Sequence, residues 1–122
     1  MTTAELQTIE SELGMRLPAD YRDLVLSYGF PADSSLAGYA MPNRFADILE
    51  MNRAMRAHPW SSAWKQDYFL IGHDGGEGHF FIDTLRERSP VFEISIEDGG
   101  IVEFSVDLPS FVDEYQKVDR EG

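Results

Sequence analysis

The chain has 122 residues and a mass of 13.8 kDa, and its 22 acidic residues against 10 basic ones leave a formal charge of −12 at pH 7. That length fits one domain spanning residues 1–122 and suffices to bury about two thirds of the unfolded surface. The acidity opposes binding to DNA, RNA or an anionic membrane surface, each of which requires cations facing phosphates, and suits a basic partner.

A hydrophobic content of 43% with 12% aromatics is too rich for a disordered acidic tail. The absence of cysteine excludes disulfides, thiolate zinc sites and cysteine nucleophiles. The first residues, Met1 to Leu6, have neither a basic start nor a long apolar run, so no signal peptide is expected. The longest purely apolar run, Tyr68–Ile71, is four residues, against about 20 for a membrane span. The expectation is a soluble, cytoplasmic domain.

In chain order, Thr2 and Glu5 have the spacing of a capping box, and Leu6, Ile9 and Leu13 recur on one helical face before Gly14, a C-cap. Met15–Leu17 is expected to be extended or turning, because Leu17 precedes Pro18. Pro18 is placed to open a second helix, with Tyr21, Leu24, Val25 and Tyr28 as its apolar stripe and Gly29 as its stop. Residues 30–43 read as loop with a short extended piece at Gly38–Met41. A third helix is predicted from Arg44 to Ala57, N-capped by Asn43, with Phe45, Ile48, Leu49 and Met55 on its apolar face. Residues 58–67 hold Trp60 and Trp64 and give no clear period; both tryptophans are assigned to the core.

The period then turns strand-like. Tyr68–Ile71 and His79–Asp83 are predicted strands around a turn, Gly72–Gly78, with four glycines in seven residues. After a turn at Arg86–Pro90 come strands Val91–Ile96 and Ile101–Val106, joined by the hairpin signal Glu97–Gly100. Pro109 opens a last helix that buries Leu108, Phe111, Val112 and Tyr115. Segregated helices and strands predict an α+β fold: N-terminal helices, an antiparallel or mixed sheet of at least four strands over about residues 68–106, and a C-terminal helix.

Three stretches together carry a family likeness: Ile9–Leu24 leading to Tyr28-Gly29, Phe69–Asp83, and the last hairpin followed by Leu108–Tyr115. Their order and spacing resemble the SUKH superfamily, the Smi/Knr-type domain shared by fungal cell-wall regulators and many bacterial immunity proteins. The resemblance implies an α+β domain with helices flanking the sheet. It implies no catalytic motif and no cofactor. It further implies a cytoplasmic immunity protein that binds and neutralises a cognate polymorphic or contact-dependent toxin domain, a nuclease. A regulatory or scaffold domain, as in the fungal members, is the alternative. The recurring residues Leu17, Pro18, Tyr21, Gly29, Gly72 and Asp83 then read as structural.

Other chemistry has weaker support in the residues. His73, Asp74, Glu77, His79 and Asp83 are conceivable metal ligands, and a remote alternative is a small metal-dependent hydrolase. Their spacing matches neither His-Glu-x-x-His nor an EF-hand loop, so no metal site is assigned. The glycine turn lacks the lysine and following helix of a phosphate cradle. The acids are the remaining signal. Residues 1–60 carry eight acids and five bases, whereas residues 61–122 carry 14 acids and five bases, so −9 of the −12 lies in the strand-rich half. Glu93, Glu97, Asp98 and Glu103 gather on one hairpin, with Glu93 and Glu103 expected to face away from the core. With Asp74 and Glu77 they are the candidate residues for a basic protein partner.

Overall fold

Helix α1, Thr3–Leu13, begins where the sequence caps it: the Glu5 amide donates to Thr2 Oγ1 at 3.1 Å and the Thr2 amide donates to Glu5 Oε1 at 2.9 Å. Such a cap stabilises by about 1 kcal/mol. Gly14 closes the helix in the left-handed region at φ 64°, where a Cβ would be strained. The computed structural model describes residues 1–121.

Helix α2 spans Ala19–Leu26, with Pro18 outside it at φ −61° and ψ 149°. It is shorter than its apolar stripe implied. Ser27 leaves helical geometry and its hydroxyl donates to the Asp23 carbonyl at 2.7 Å, so Tyr28 lies beyond the helix and donates its hydroxyl to Met41 O at 2.8 Å. Gly29 is therefore not the stop. It has no positive φ, and a Cβ there would meet only Ser27 O, at 3.8 Å.

The expected extended piece at Gly38–Met41 is instead a π-helical turn, Leu36–Ala40, closed by the Met41 amide donating to Leu36 O at 2.9 Å. Helix α3, Phe45–Ala57, starts without a side-chain cap. Asn43, expected to cap it, accepts the Met1 amino group on Oδ1 at 2.6 Å.

Strands β1 (Tyr68–His73), β2 (Gly78–Asp83), β3 (Val91–Ser95) and β4 (Ile101–Ser105) form one antiparallel sheet in the order β1-β2-β3-β4, and helix α4 (Leu108–Glu121) follows. The α+β expectation is met. Asp107 caps α4, its carboxylate accepting the Ser110 amide at 2.9 Å. The sheet divides two apolar clusters. On one face Phe69, Ile71, Phe80, Ile82 and Val91 pack with α1, α2, the π-turn and α4, where Tyr21 meets Phe69 edge-on at 5.3 Å. On the other, Leu70, Phe81 and Ile94 pack with Met55, Trp64 and Phe92. No described helix is long and apolar enough to cross a membrane.

Candidate functional site

The β1–β2 turn is built by its own side chains. Asp74 Oδ1 accepts the amides of Gly76 at 2.8 Å and Gly78 at 3.2 Å, and the Asp74 amide donates to Gly78 O at 2.9 Å. Gly75 takes φ 87°, which an L side chain rarely adopts. His73 Nδ1 accepts the Gly75 amide at 3.0 Å. The β3–β4 turn closes similarly: Gly99 at φ 73° donates to Ser95 O at 2.8 Å, and Asp98 Oδ1 accepts the Gly100 amide at 2.8 Å. One further bond, from the Ile96 amide to Glu77 O at 3.0 Å, pins the two turns side by side.

That pinning brings together five of the six candidate acids. Asp74 and Glu93 close over Gly78, where a Cβ would lie 2.5 Å from Asp74 Oδ2 and would also collide with the Glu93 carboxylate. Burial, followed by a hydrogen bond to Asp74, holds the Glu93 carboxyl above its ordinary range. Glu77 is raised first by a hydrogen bond to Glu97 and then by desolvation, Asp74 and Asp98. Raised carboxyls in pairs are the response of like charges that a fold forces together. A shallow cavity of about 310 Å³ opens among them, lined by Asp74, Glu93, Ser95, Asp98 and Val102 among others. Among the described residues, the ion pairs engage Glu10, Glu12, Asp47 and Asp83, and none of these five acids.

Glu103 does not join them. It pairs with Phe92 whereas Glu93 pairs with Val102 and Phe80, so the two glutamates occupy opposite faces of the sheet. The expectation that both face away from the core fails for Glu93, which is half-buried on the α4 face. The hairpin register is the reason: Glu93 pairs with Val102, one position before Glu103, and the apolar neighbours Ile94 and Phe104 pack on different faces, Ile94 with Leu70 and Phe81 and Phe104 with Phe80 and Phe111.

An aromatic row borders the acids. Trp60 meets His79 at 4.6 Å, His79 meets His73 at 5.5 Å, His73 stacks on Tyr39 at 5.7 Å, and Tyr39 meets Tyr115 edge-on at 6.2 Å. Burial lowers the His79 pKa, and its Nδ1 has no hydrogen-bond partner among the described residues. Burial raises the Tyr115 hydroxyl, as do Tyr39, Asp74 and Glu93. The tryptophans separate. Trp64 is half-buried against Tyr68 and Phe81, as a core residue should be, but Trp60 is 37% exposed. Its backbone passes close to Gly99, where a Cβ would lie 2.7 Å from Trp60 O. No local signal in its segment marks Tyr39 from sequence.

The conceivable metal ligands are not gathered into one group. His73 and His79 pair across β1 and β2, but Asp83 lies at the far end of β2, ion-paired with Arg86 and accepting the Leu85 amide. Among the described residues no three of His, Asp and Glu converge as cation ligands. Of the recurring residues, Leu17, Pro18, Tyr21 and Gly72 are buried, Asp83 is half-buried and Gly29 is exposed.

The model of the SMI1 / KNR4 family (SUKH-1) matches residues 1–116. The chain belongs to this family. The match covers α1 through most of α4 and therefore the whole sheet that carries the SUKH-1 domain's acidic turns. No curated protein matches the chain.

Proposed function

We propose that this SUKH-1 domain is a non-enzymatic immunity protein, which binds a cognate toxin domain with a basic surface, a nuclease, and blocks it. The family is known for immunity proteins. The observation that carries the reading to this chain is the convergence of Asp74, Glu77, Glu93, Glu97 and Asp98, none of them ion-paired among the described residues. Their neighbours are flat rings, with Trp60 exposed beside them.

A nuclease must present cations to the nucleic-acid backbone. An acidic surface of matching sign competes for those cations, and complementarity of this kind chiefly raises the association rate and selects the partner. Arginine or lysine from the toxin would relieve the repulsion between Asp74 and Glu93 and between Glu77 and Glu97. Aromatic faces beside the acids would add cation–π attraction of about 0.5–2 kcal/mol.

The test is co-expression with the protein encoded immediately upstream. The expected result is a stable complex at low salt and loss of that protein's toxicity. A neighbour that is not toxic, or a toxic neighbour that fails to bind at low salt, would overturn the reading.

A further inference from the structure

The two edges of the sheet are treated differently. On β1, Asn52 from α3 stands where another strand would: its Oδ1 accepts the Leu70 amide at 2.8 Å and its Nδ2 donates to Leu70 O at 3.0 Å. Asn52 is itself 2% exposed, so this edge is closed. On β4, the last strand in the order, no further strand lies alongside among the described residues. Its apolar side chains are open, with Val102 59% and Phe104 43% exposed, and Val106 just beyond it 68% exposed.

The ladder shows which backbone groups are free. The Ser95 amide donates to Gly100 O at 3.0 Å, and hydrogen-bonded pairs alternate along an antiparallel ladder. Counting from there, Glu93 and Val102 exchange bonds, while Ile101 and Glu103 turn their N–H and C=O groups outward. The same count from the Thr84 amide bonding Asp67 O turns Leu70 outward, where Asn52 meets it.

We propose that β4 is a docking edge at which the partner adds a strand: an extended protein segment carrying basic beside apolar side chains pairs with the free groups of Ile101 and Glu103. Charge selects this occupant. From Ser89 to Gln116 the chain has seven acids and no lysine or arginine. The acid-lined cavity runs from Asp74 and Glu93 to Val102 on this strand. A second copy of the chain would lay one acidic strand against another, whereas a basic strand places its cations beside Glu103 and the turn acids. Main-chain bonds would supply affinity and the exposed valines would receive alternate side chains. The inference rests on the toxin-binding reading and adds the geometry of the contact.

The experiment measures amide exchange by NMR on the full chain, alone and with the upstream-encoded protein, alongside the affinities of Glu103→Pro and Glu103→Gln. Strand addition slows exchange at Ile101 and Glu103 by at least about tenfold, because each outward group gains a bond, and changes Val102 little. Proline is tolerated on sheet edges, so Glu103→Pro should keep its circular dichroism spectrum and lose about tenfold in affinity, more than Glu103→Gln loses. If Glu103→Pro does not fold, the exchange data on the unaltered chain decide alone. A complex in which Ile101 and Glu103 exchange as in the free protein, or which a folded Glu103→Pro forms unchanged, overturns strand addition and leaves toxin binding standing. Slowed exchange in the protein alone, with a concentration-dependent dimer, assigns the edge to a second copy and overturns it too. Absence of any complex removes the functional reading, and this inference with it.

Discussion

Gly72 faces the Ala40 backbone so closely that a methyl group has no room between them: a Cβ on Gly72 would lie 2.5 Å from the Ala40 carbonyl carbon and closer still to its oxygen. The obstruction is main chain, so no side-chain rotation relieves it. Gly72→Ala must displace either β1 or the π-turn, and overpacking of this kind costs about 1–3 kcal/mol. Gly29→Ala, at an exposed site with nothing closer than 3.8 Å, should stay within about 0.5 kcal/mol of the parent protein. Urea unfolding of the two variants compares them, and equal midpoints would refute the close-approach argument.

Asn52 is buried and satisfies both backbone groups of Leu70 as well as donating to Ile48 O at 3.0 Å. Asn52→Leu keeps the volume but leaves the Leu70 amide and carbonyl without partners. Each orphaned buried group costs about 1–3 kcal/mol. We expect a loss of several degrees in Tm and faster exchange of the Leu70 amide. Unchanged protection at Leu70 would show that water or another group takes over.

Glu93 yields a pH dependence with a definite sign. Burial and Asp74 raise its pKa, so the folded protein holds this proton more tightly than the unfolded chain does. The associated stability is complete below the ordinary glutamate value of about 4.3 and is lost as pH rises through the raised value. Glu93→Gln abolishes that titration. It should match the parent near pH 4 and be more stable at pH 7, by less than about 1 kcal/mol because the site is partly solvated. Thermal melts across pH 4–8 test this, and a variant less stable at pH 7 would contradict it.

Trp60 is exposed, close to Gly99 at its backbone and set edge-on to His79. In the proposed complex it is the aromatic anchor. Trp60→Ala should weaken toxin binding by about 2 kcal/mol or more while leaving the melting temperature nearly unchanged. Equal loss of folding stability would return Trp60 to a core role.

Association should also slow with salt. Charge steering is screened over about 10 Å at 0.1 M ionic strength. Reversing charge with Glu97→Lys and Asp98→Lys should lower the association rate more than it raises the dissociation rate. Stopped-flow measurements over a salt series separate the two, and a salt-independent association rate would remove electrostatics from the mechanism.

Much of this fold was legible because its signals are local. The Thr2–Glu5 box, the Gly14 cap and the Glu97–Gly100 turn each depend on a few adjacent residues, and the structure bears them out. The π-turn was not legible, because its defining bond spans Leu36 to Met41 and is justified by what it packs under, Gly72. Asn52 carried a faint signal: a polar residue on the same face as Ile48 and Met55. The acidic site was half legible. Composition and turn spacing point to the two turns, but their side-by-side placement depends on the Ile96–Glu77 bond between segments distant in sequence. The separation of Glu93 from Glu103 depends on the pairing register of the hairpin, which alternation within each strand cannot foresee.

The closure of β1 by Asn52 has a bearing on stoichiometry. A sheet with two open edges can be extended from either side, and identical units joined edge to edge form filaments. Here the chain terminates one side with its own amide. A visitor at β4 cannot be another copy's β1, so head-to-tail polymerisation through the sheet is blocked. Strand addition at this sheet therefore ends after one partner.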